Sequence, residues 1–192
     1  MHTPPSRREA THERIVDVAA RALRRNGYAG VGVADVMKQA GLTHGGFYAH
    51  FASREALLAE AIERAGRDSA ANMQRRVETG LARGHSAFRS VVESYLSEAH
   101  LRGVEAGCLV AAVGSEMPRQ SPELLAPSAE RVRALIALVQ RSLPQGTPEQ
   151  AMAVVATLVG SLQLARTLGV NAQGKAMLKA AREALLAQHD TP

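Results

Sequence analysis

The 192-residue chain has no tryptophan and only three Phe and three Tyr, so aromatics make up 3% of it. Aromatic and β-branched residues are the usual strand formers, and this scarcity disfavours a sheet. A single cysteine, Cys108, excludes an intrachain disulfide framework, and nothing here suggests secretion. The longest uncharged stretch, Gln150 to Ala165, has 16 residues, Thr157, Ser161 and Gln163 among them. That falls short of the ~20 apolar residues that span a bilayer. Met1 to Glu13 is polar and lacks the apolar segment of a signal peptide. The expectation is a cytoplasmic chain without membrane association.

What is present points to helices. Hydrophobic residues make up 46% and charged residues 21%, enough for a globular core. Net charge is +5 and unevenly spread. Through Arg54 there are eight basic residues against four acidic, and beyond it fifteen against fourteen. A basic N-terminal segment on a nearly neutral body suits a polyanionic partner.

Capping and periodicity place the elements. Ser6 and Glu9 form a capping box after Pro4 and Pro5, opening a helix near Arg7 that stops at Asn26-Gly27. Val33 to Ala40 reads as a short helix ended by Gly41, and Thr43 as the cap of a third over His44 to Phe51. Ser53 opens a long fourth helix, and Ser86 to Leu101 and Gly107 to Glu116 read as two more. A helix after Ser121-Pro122 should be interrupted or delayed by Pro127. A second capping box, Thr147 with Gln150, starts a helix to about Leu168, and a last one covers about Ala172 to Gln188. The expected fold is all-α with about nine helices: a three-helix head over residues 1–52 and a helical body over 53–192.

Two short helices joined by a glycine turn form a helix-turn-helix, whose second helix can enter a major groove. Val36, Ala40, Leu42 and Phe47 are its inward-facing positions. Gly45 and Gly46 are costly inside a helix by roughly 1 kcal/mol each, a cost that makes sense where backbone must approach a phosphate closely. Thr43, His44, Tyr48 and His50 offer hydroxyl and imidazole groups to phosphates or base edges, with Lys38 and Arg54 flanking them. By periodicity alone, a plain helical hairpin with a polar face remains an equal alternative.

The literal residues add to this. Gly27-Tyr28, Val33-Ala34-Asp35-Val36, Ala40-Gly41-Leu42-Thr43, Gly46-Phe47-Tyr48-Ala49-His50-Phe51 and Ser53-Arg54-Glu55-Ala56-Leu57 together resemble the DNA-binding domain of TetR-family repressors. The resemblance implies an operator-binding head on a ligand-binding body, dimerised through the last two helices (about 147–188). It implies operator-facing roles for Thr43, His44, Gly45, Tyr48 and His50, with Tyr48 and Arg54 on phosphates. Gly32 departs from the Ser or Thr usual at the second helix's cap, and Met37 from a usual small residue. The helix from Thr147 is apolar along two stripes, Met152, Val155, Val159, Leu162 and Val154, Leu158, Ser161, Ala165, so both need cover.

Other constellations carry less. Gly169 to Lys175 spells a phosphate-loop pattern, but Ala176 stands where a magnesium-binding Ser or Thr is required, and the segment reads better as a turn. His44 and His50 are six apart and share no helix face, so no metal site and no cofactor are expected. Cys108, at the start of a short helix with His100 and Arg102 close in sequence, is a candidate reactive thiol or an ordinary core residue. Gly107-Cys108-Leu109 resembles the thiol-sensing subset of the TetR family. Phe88, Tyr95, Cys108, Met117, Val139 and Leu162 are candidate lining residues for a small-molecule effector cavity. The reading is a ligand-responsive homodimeric repressor of double-stranded operator DNA, not an enzyme. Its rivals are a small thiol-dependent enzyme, which needs a base beside Cys108, and a protein-interaction module indifferent to DNA sequence.

Overall fold

A computed structural model describes residues 6–190, so Pro4 and Pro5 lie outside the described residues. Among these are nine α-helices: α1 Arg7–Asn26, α2 Val33–Gln39, α3 Arg54–Leu81, α4 Ala87–Tyr95, α5 Glu98–Arg102, α6 Leu109–Val113, α7 Pro122–Ser142, α8 Pro148–Leu168 and α9 Ala172–His189. Both capping boxes form: Ser6 and Glu9 at α1, Thr147 and Gln150 at α8. Gly27 ends α1 at φ +72, a left-handed value that favours glycine.

Four expectations are corrected. The helix expected over Ser86–Leu101 is two, because Leu96 leaves helical geometry and the Ser97 hydroxyl caps α5 by accepting the His100 N–H. The helix expected over Gly107–Glu116 shortens to α6, followed by a 3₁₀ turn at Met117–Arg119. Pro127 sits inside a continuous α7, near its start, where its missing N–H removes a single intrahelical bond. Thr43 introduces a 3₁₀ segment, His44–Ala49, without a side-chain cap, in place of an α-helix to Phe51. Two consecutive glycines of poor helix propensity disfavour the α form there.

Two core clusters organise the chain. The first joins Ile15, Leu23, Met37, Phe47 and Phe51 of the head to Leu57, Ile62, Leu109 and Met117. The second gathers Phe88, Tyr95, Val139, Leu158 and Leu162 within the body. α3 runs through both levels, buried on the head at Leu57, Leu58, Ala61, Ile62 and Ala65. α8 is long and apolar enough to cross a membrane by composition, yet it packs Ala151, Val154, Val155, Leu158, Leu162 and Ala165 into the protein. Its uncovered apolar stripe is therefore Met152, Ala156, Gly160, Leu164 and Leu168, four residues apart, and differs from both stripes expected above. One wide inward face takes Val155 and Leu162 from the first and Val154, Leu158 and Ala165 from the second.

Candidate nucleic-acid interface and effector cavity

The turn between α2 and the 3₁₀ segment is a Schellman motif. The Gly41 N–H donates to the Lys38 carbonyl at 3.0 Å and the Leu42 N–H to Met37 at 2.9 Å. Gly41 has φ +72, and Leu42 packs against the head core. This turn aims the His44–Ala49 segment, which Phe47, 2% exposed, pins inward against Phe51 at a ring separation of 5.5 Å. Six residues at 3₁₀ rise extend roughly 12 Å, about the width of a major groove.

The outer face is then Thr43, His44, Gly45 and Tyr48, all exposed, with Tyr48 at 74%. A Cβ at Gly45 meets nothing within 4 Å, so no neighbour in this chain requires the position to be bare. At Gly46 a Cβ lies 3.6 Å from Met37 Cε, so the buried Met37 packs beneath the segment. Lys38 is exposed in the last turn of α2. Gly32 caps α2 through extended backbone alone.

Two residues expected on the operator side face elsewhere. The Arg54 guanidinium donates to the Val31 carbonyl at 3.0 Å and to the Tyr28 carbonyl, fastening the 28–31 turn to the start of α3. His50 is half-buried beside His12 at 6.0 Å, with Nδ1 enclosed and unpartnered. Burial, then His12 and Arg8, lowers its pKa. Arg8 donates to the Ala49 carbonyl at 2.9 Å and so holds the far end of the 3₁₀ segment to α1.

A cavity of about 730 Å³ opens in the body between α3, α4, α7 and the segment around Cys108. Of the residues expected to line it, Tyr95 and Cys108 do. Phe88, Val139 and Leu162 are fully buried in the body core, and Met117 in the core shared with the head. Helical faces with apolar residues at those positions are the packing itself.

Around Cys108 the neighbours are specific. His100 donates from Nδ1 to the Tyr95 carbonyl at 2.8 Å, which leaves Nε2 to accept the Cys108 backbone N–H at 3.0 Å. Burial lowers His100 to about 4, so the ring is neutral at pH 7. The Tyr95 hydroxyl is buried beside the Cys108 thiol, and burial followed by Cys108 pushes it well above the ordinary phenol range. Arg166 donates to the His100 carbonyl at 2.9 Å, while its Nε and Nη1 are enclosed without partners. Arg102 pairs instead with Glu98 at 3.9 Å. Sequence reasoning missed Arg166 because 58 positions separate it from Cys108.

The same segment meets the head. Arg24, 3% exposed on α1, donates to the Glu105 carbonyl and to Asp68 at 3.3 Å, and Arg25 pairs with the Glu105 carboxylate. The Tyr28 N–H donates to Glu116 at 2.9 Å, and the Tyr28 hydroxyl bonds Ser128 Oγ at 2.9 Å. None of these ties is visible as a motif.

Comparison with known proteins agrees with the head. A family sequence model described as "Bacterial regulatory proteins, tetR family" matches residues 15–61. An HTH-type transcriptional regulator of Mycobacterium tuberculosis is 31% identical over 170 residues, covering 82% of this chain and 85% of that protein. The HTH-type transcriptional repressor NemR of Escherichia coli K12 is 26% identical over 171 residues, covering 86% and 84%. The reduced form of E. coli NemR superposes with a TM-score of 0.75 at 22% identity, covering 95% of this chain and 98% of that one. A TetR-family regulator from Cytophaga hutchinsonii gives 0.77 at 16% identity, covering 97% and 98%. With its helix-turn-helix head, all-helical body and relatives matched over most of their length, the chain belongs to the TetR family of bacterial DNA-binding transcriptional regulators.

Proposed function

We propose that the protein is a cytoplasmic homodimeric repressor that binds a palindromic operator and is released when its body cavity is filled or Cys108 is modified. The observation that carries the operator half is the bare, outward Thr43–Tyr48 face on a segment fixed inward by Phe47. In this reading Thr43 and His44 meet base edges, while the Gly45 backbone, the Tyr48 hydroxyl and Lys38 meet phosphates. Arg54, which fastens the 28–31 turn to α3, and Arg8, which holds the far end of the segment, are positioning residues.

Dimerisation draws on α8 and α9. The exposed α8 stripe is matched on α9 by Ala172, Ala176, Ala180 and Ala184, also four apart and exposed. A Cβ at Gly160 meets nothing within 4 Å, which leaves room for close approach by a second copy. A two-fold pair places two recognition segments roughly 34–36 Å apart, or a multiple of that, over a palindrome.

For the effector half, the cavity volume of about 730 Å³ lies within the usual range for small-molecule sites. Cys108, half-buried on its wall, is open to oxidants and alkylators that enter. The NemR relative was solved in a form specified as reduced, which is a property of that protein. The thiol-enzyme rival needs a base beside Cys108. The nearest base, His100, has Nε2 committed to the backbone N–H of that residue and is neutral already, so nothing is poised to take the thiol proton.

Fluorescence anisotropy on duplex DNA from upstream of the protein's own gene tests the operator reading, with a scrambled duplex as control at two salt concentrations. Preference for the native duplex, weakened in Tyr48→Ala, supports it. Equal and steeply salt-dependent binding to both duplexes fits the interaction-module rival. A Cys108→Ser protein that still leaves DNA on treatment with an alkylating agent removes the thiol half alone.

A further inference from the structure

The chemistry of the cavity wall narrows what the effector is. Four arginines line it, Arg67, Arg76, Arg131 and Arg141, and among the described residues no Asp or Glu does. Among the described residues none of the four has an ion-pair partner, although the neighbouring Arg64 engages Glu13, Asp17 and Asp68 together. Arg67, Arg76 and Arg141 are exposed. Arg131 is half-buried, and its Nε is enclosed and unpartnered. A guanidinium nitrogen withdrawn from water without an acceptor is unfavourable, and an anion relieves that cost.

Arg131 is also placed by construction. A Cβ on Gly66 of α3 would come within 2.5 Å of Arg131 Cδ and closer still to Nη1, so the side chain lies flat against bare helix backbone. Between Arg67 and Arg76 on α3, and between Arg131 and Arg141 on α7, the wall is apolar at Met73, Leu135 and Leu138, with Leu109 adjoining. The lining includes Tyr95, whose buried hydroxyl lies beside Cys108, with Arg166 close to both. An enclosed, unpartnered guanidinium nitrogen beside an apolar wall matches a molecule with an anionic head and an apolar body.

We infer that the cavity binds an amphipathic organic carboxylate, its anionic head against Arg131 and its apolar body along Met73, Leu135 and Leu138. The head takes charge-assisted hydrogen bonds from the guanidinium, which are shorter and stronger than neutral ones. The exposed arginines raise the local concentration of anions and speed entry. The inference rests on the effector reading of the cavity, but binding is measurable without DNA.

The test is titration calorimetry of the full-length protein with decanoate, decanol and decylammonium, which share one alkyl chain. Decanoate is expected to bind at least tenfold more tightly than the other two, and more weakly as salt is raised. Arg131→Met should bring decanoate to the affinity of decanol while leaving decanol unchanged. Gly66→Ala, which displaces the guanidinium without removing it, should do the same in smaller measure. Acetate and inorganic phosphate should show no saturable binding at comparable concentrations. Decanol binding as tightly as decanoate to the wild-type protein overturns the inference, whatever the variants do. So does unchanged decanoate affinity in a natively folded Arg131→Met protein, and so does acetate or phosphate matching decanoate. Decanoate binding that leaves the operator complex intact upholds the carboxylate site and refutes its regulatory role. Failure to read any operator leaves the calorimetric result standing.

Discussion

The guanidinium of Arg24, in the DNA-binding head, donates to the backbone carbonyl of Glu105, three residues before the cavity residue Cys108. The link is partly buried, and it joins the two ends of the proposed response directly. A ligand that moves the 104–108 segment must either carry α1 with it or break this contact. Such differential contact is what a ligand-driven shift between two conformations requires.

Arg24→Met keeps the buried stem and removes the tie. It should lower stability by about 1–3 kcal/mol, since the Glu105 carbonyl loses its partner. Operator affinity should survive while the effector loses much of its power to release DNA. Thermal melts and anisotropy with and without decanoate measure these separately.

Tyr48→Ala should weaken operator binding about tenfold, the worth of roughly one hydrogen bond to phosphate, with no change in melting temperature. Its ring is 74% exposed and contributes little to the core. Because a hydroxyl contact to phosphate displaces no counterion, the slope of log affinity against log salt should stay the same. Lys38→Ala should reduce that slope by about one. Measuring both slopes on one duplex tells the two kinds of contact apart.

Gly41→Ala should cost roughly 1–2 kcal/mol, the penalty of a left-handed non-glycine residue. Nothing lies within 4 Å of the added methyl, so the cost is backbone strain alone. Urea unfolding gives its size. Gly45→Ala, lacking that strain, should be stable and yet bind DNA more weakly.

Acidification should destabilise the body through His100. Its folded pKa of about 4 lies below the ordinary 6.5, so the unfolded chain binds the proton more readily. Stability therefore rises with pH between about 4 and 6.5, is complete above that window and is lost as pH falls through it. The full difference is on the order of 3 kcal/mol. Melting temperatures at pH 7 and pH 5 should separate more for wild type than for His100→Asn.

Substituting Leu164→Glu on the uncovered α8 stripe should give a chain that sediments as a monomer with its helical spectrum intact. A dimer that persists in this variant and in Gly160→Phe would place the interface elsewhere.

The head was more legible than the body, for a physical reason. Ser6, Glu9, Gly27, Gly41 and Ser53 act over three or four residues, so their meaning is local and survives in the sequence. The glycines at 45 and 46 were visible, but their conversion of the helix to a 3₁₀ segment was not, because propensity alone does not select between neighbouring helical forms. Arg54 looked like a surface cation, and only the path of the 28–31 turn reveals its two carbonyl partners. In the body, Phe88, Val139 and Leu162 share their helical periodicity with any core residue, so a pocket wall is indistinguishable from packing until the helices are assembled. Arg131 and Gly66 lie 65 positions apart, and their contact leaves no trace in spacing.

α3 has one more implication. Its 28 residues form a single unbroken rod rooted among the head helices and flanking the cavity along its far half. At 1.5 Å per residue the rod is roughly 42 Å long, so a tilt of about 5° at one end sweeps the other through nearly 4 Å. In the proposed dimer, adding a methylene or two to a bound molecule would then be felt, magnified, as a change in reach between the paired reading heads. Chain length of the occupant, as much as its charge, would then grade the strength of induction.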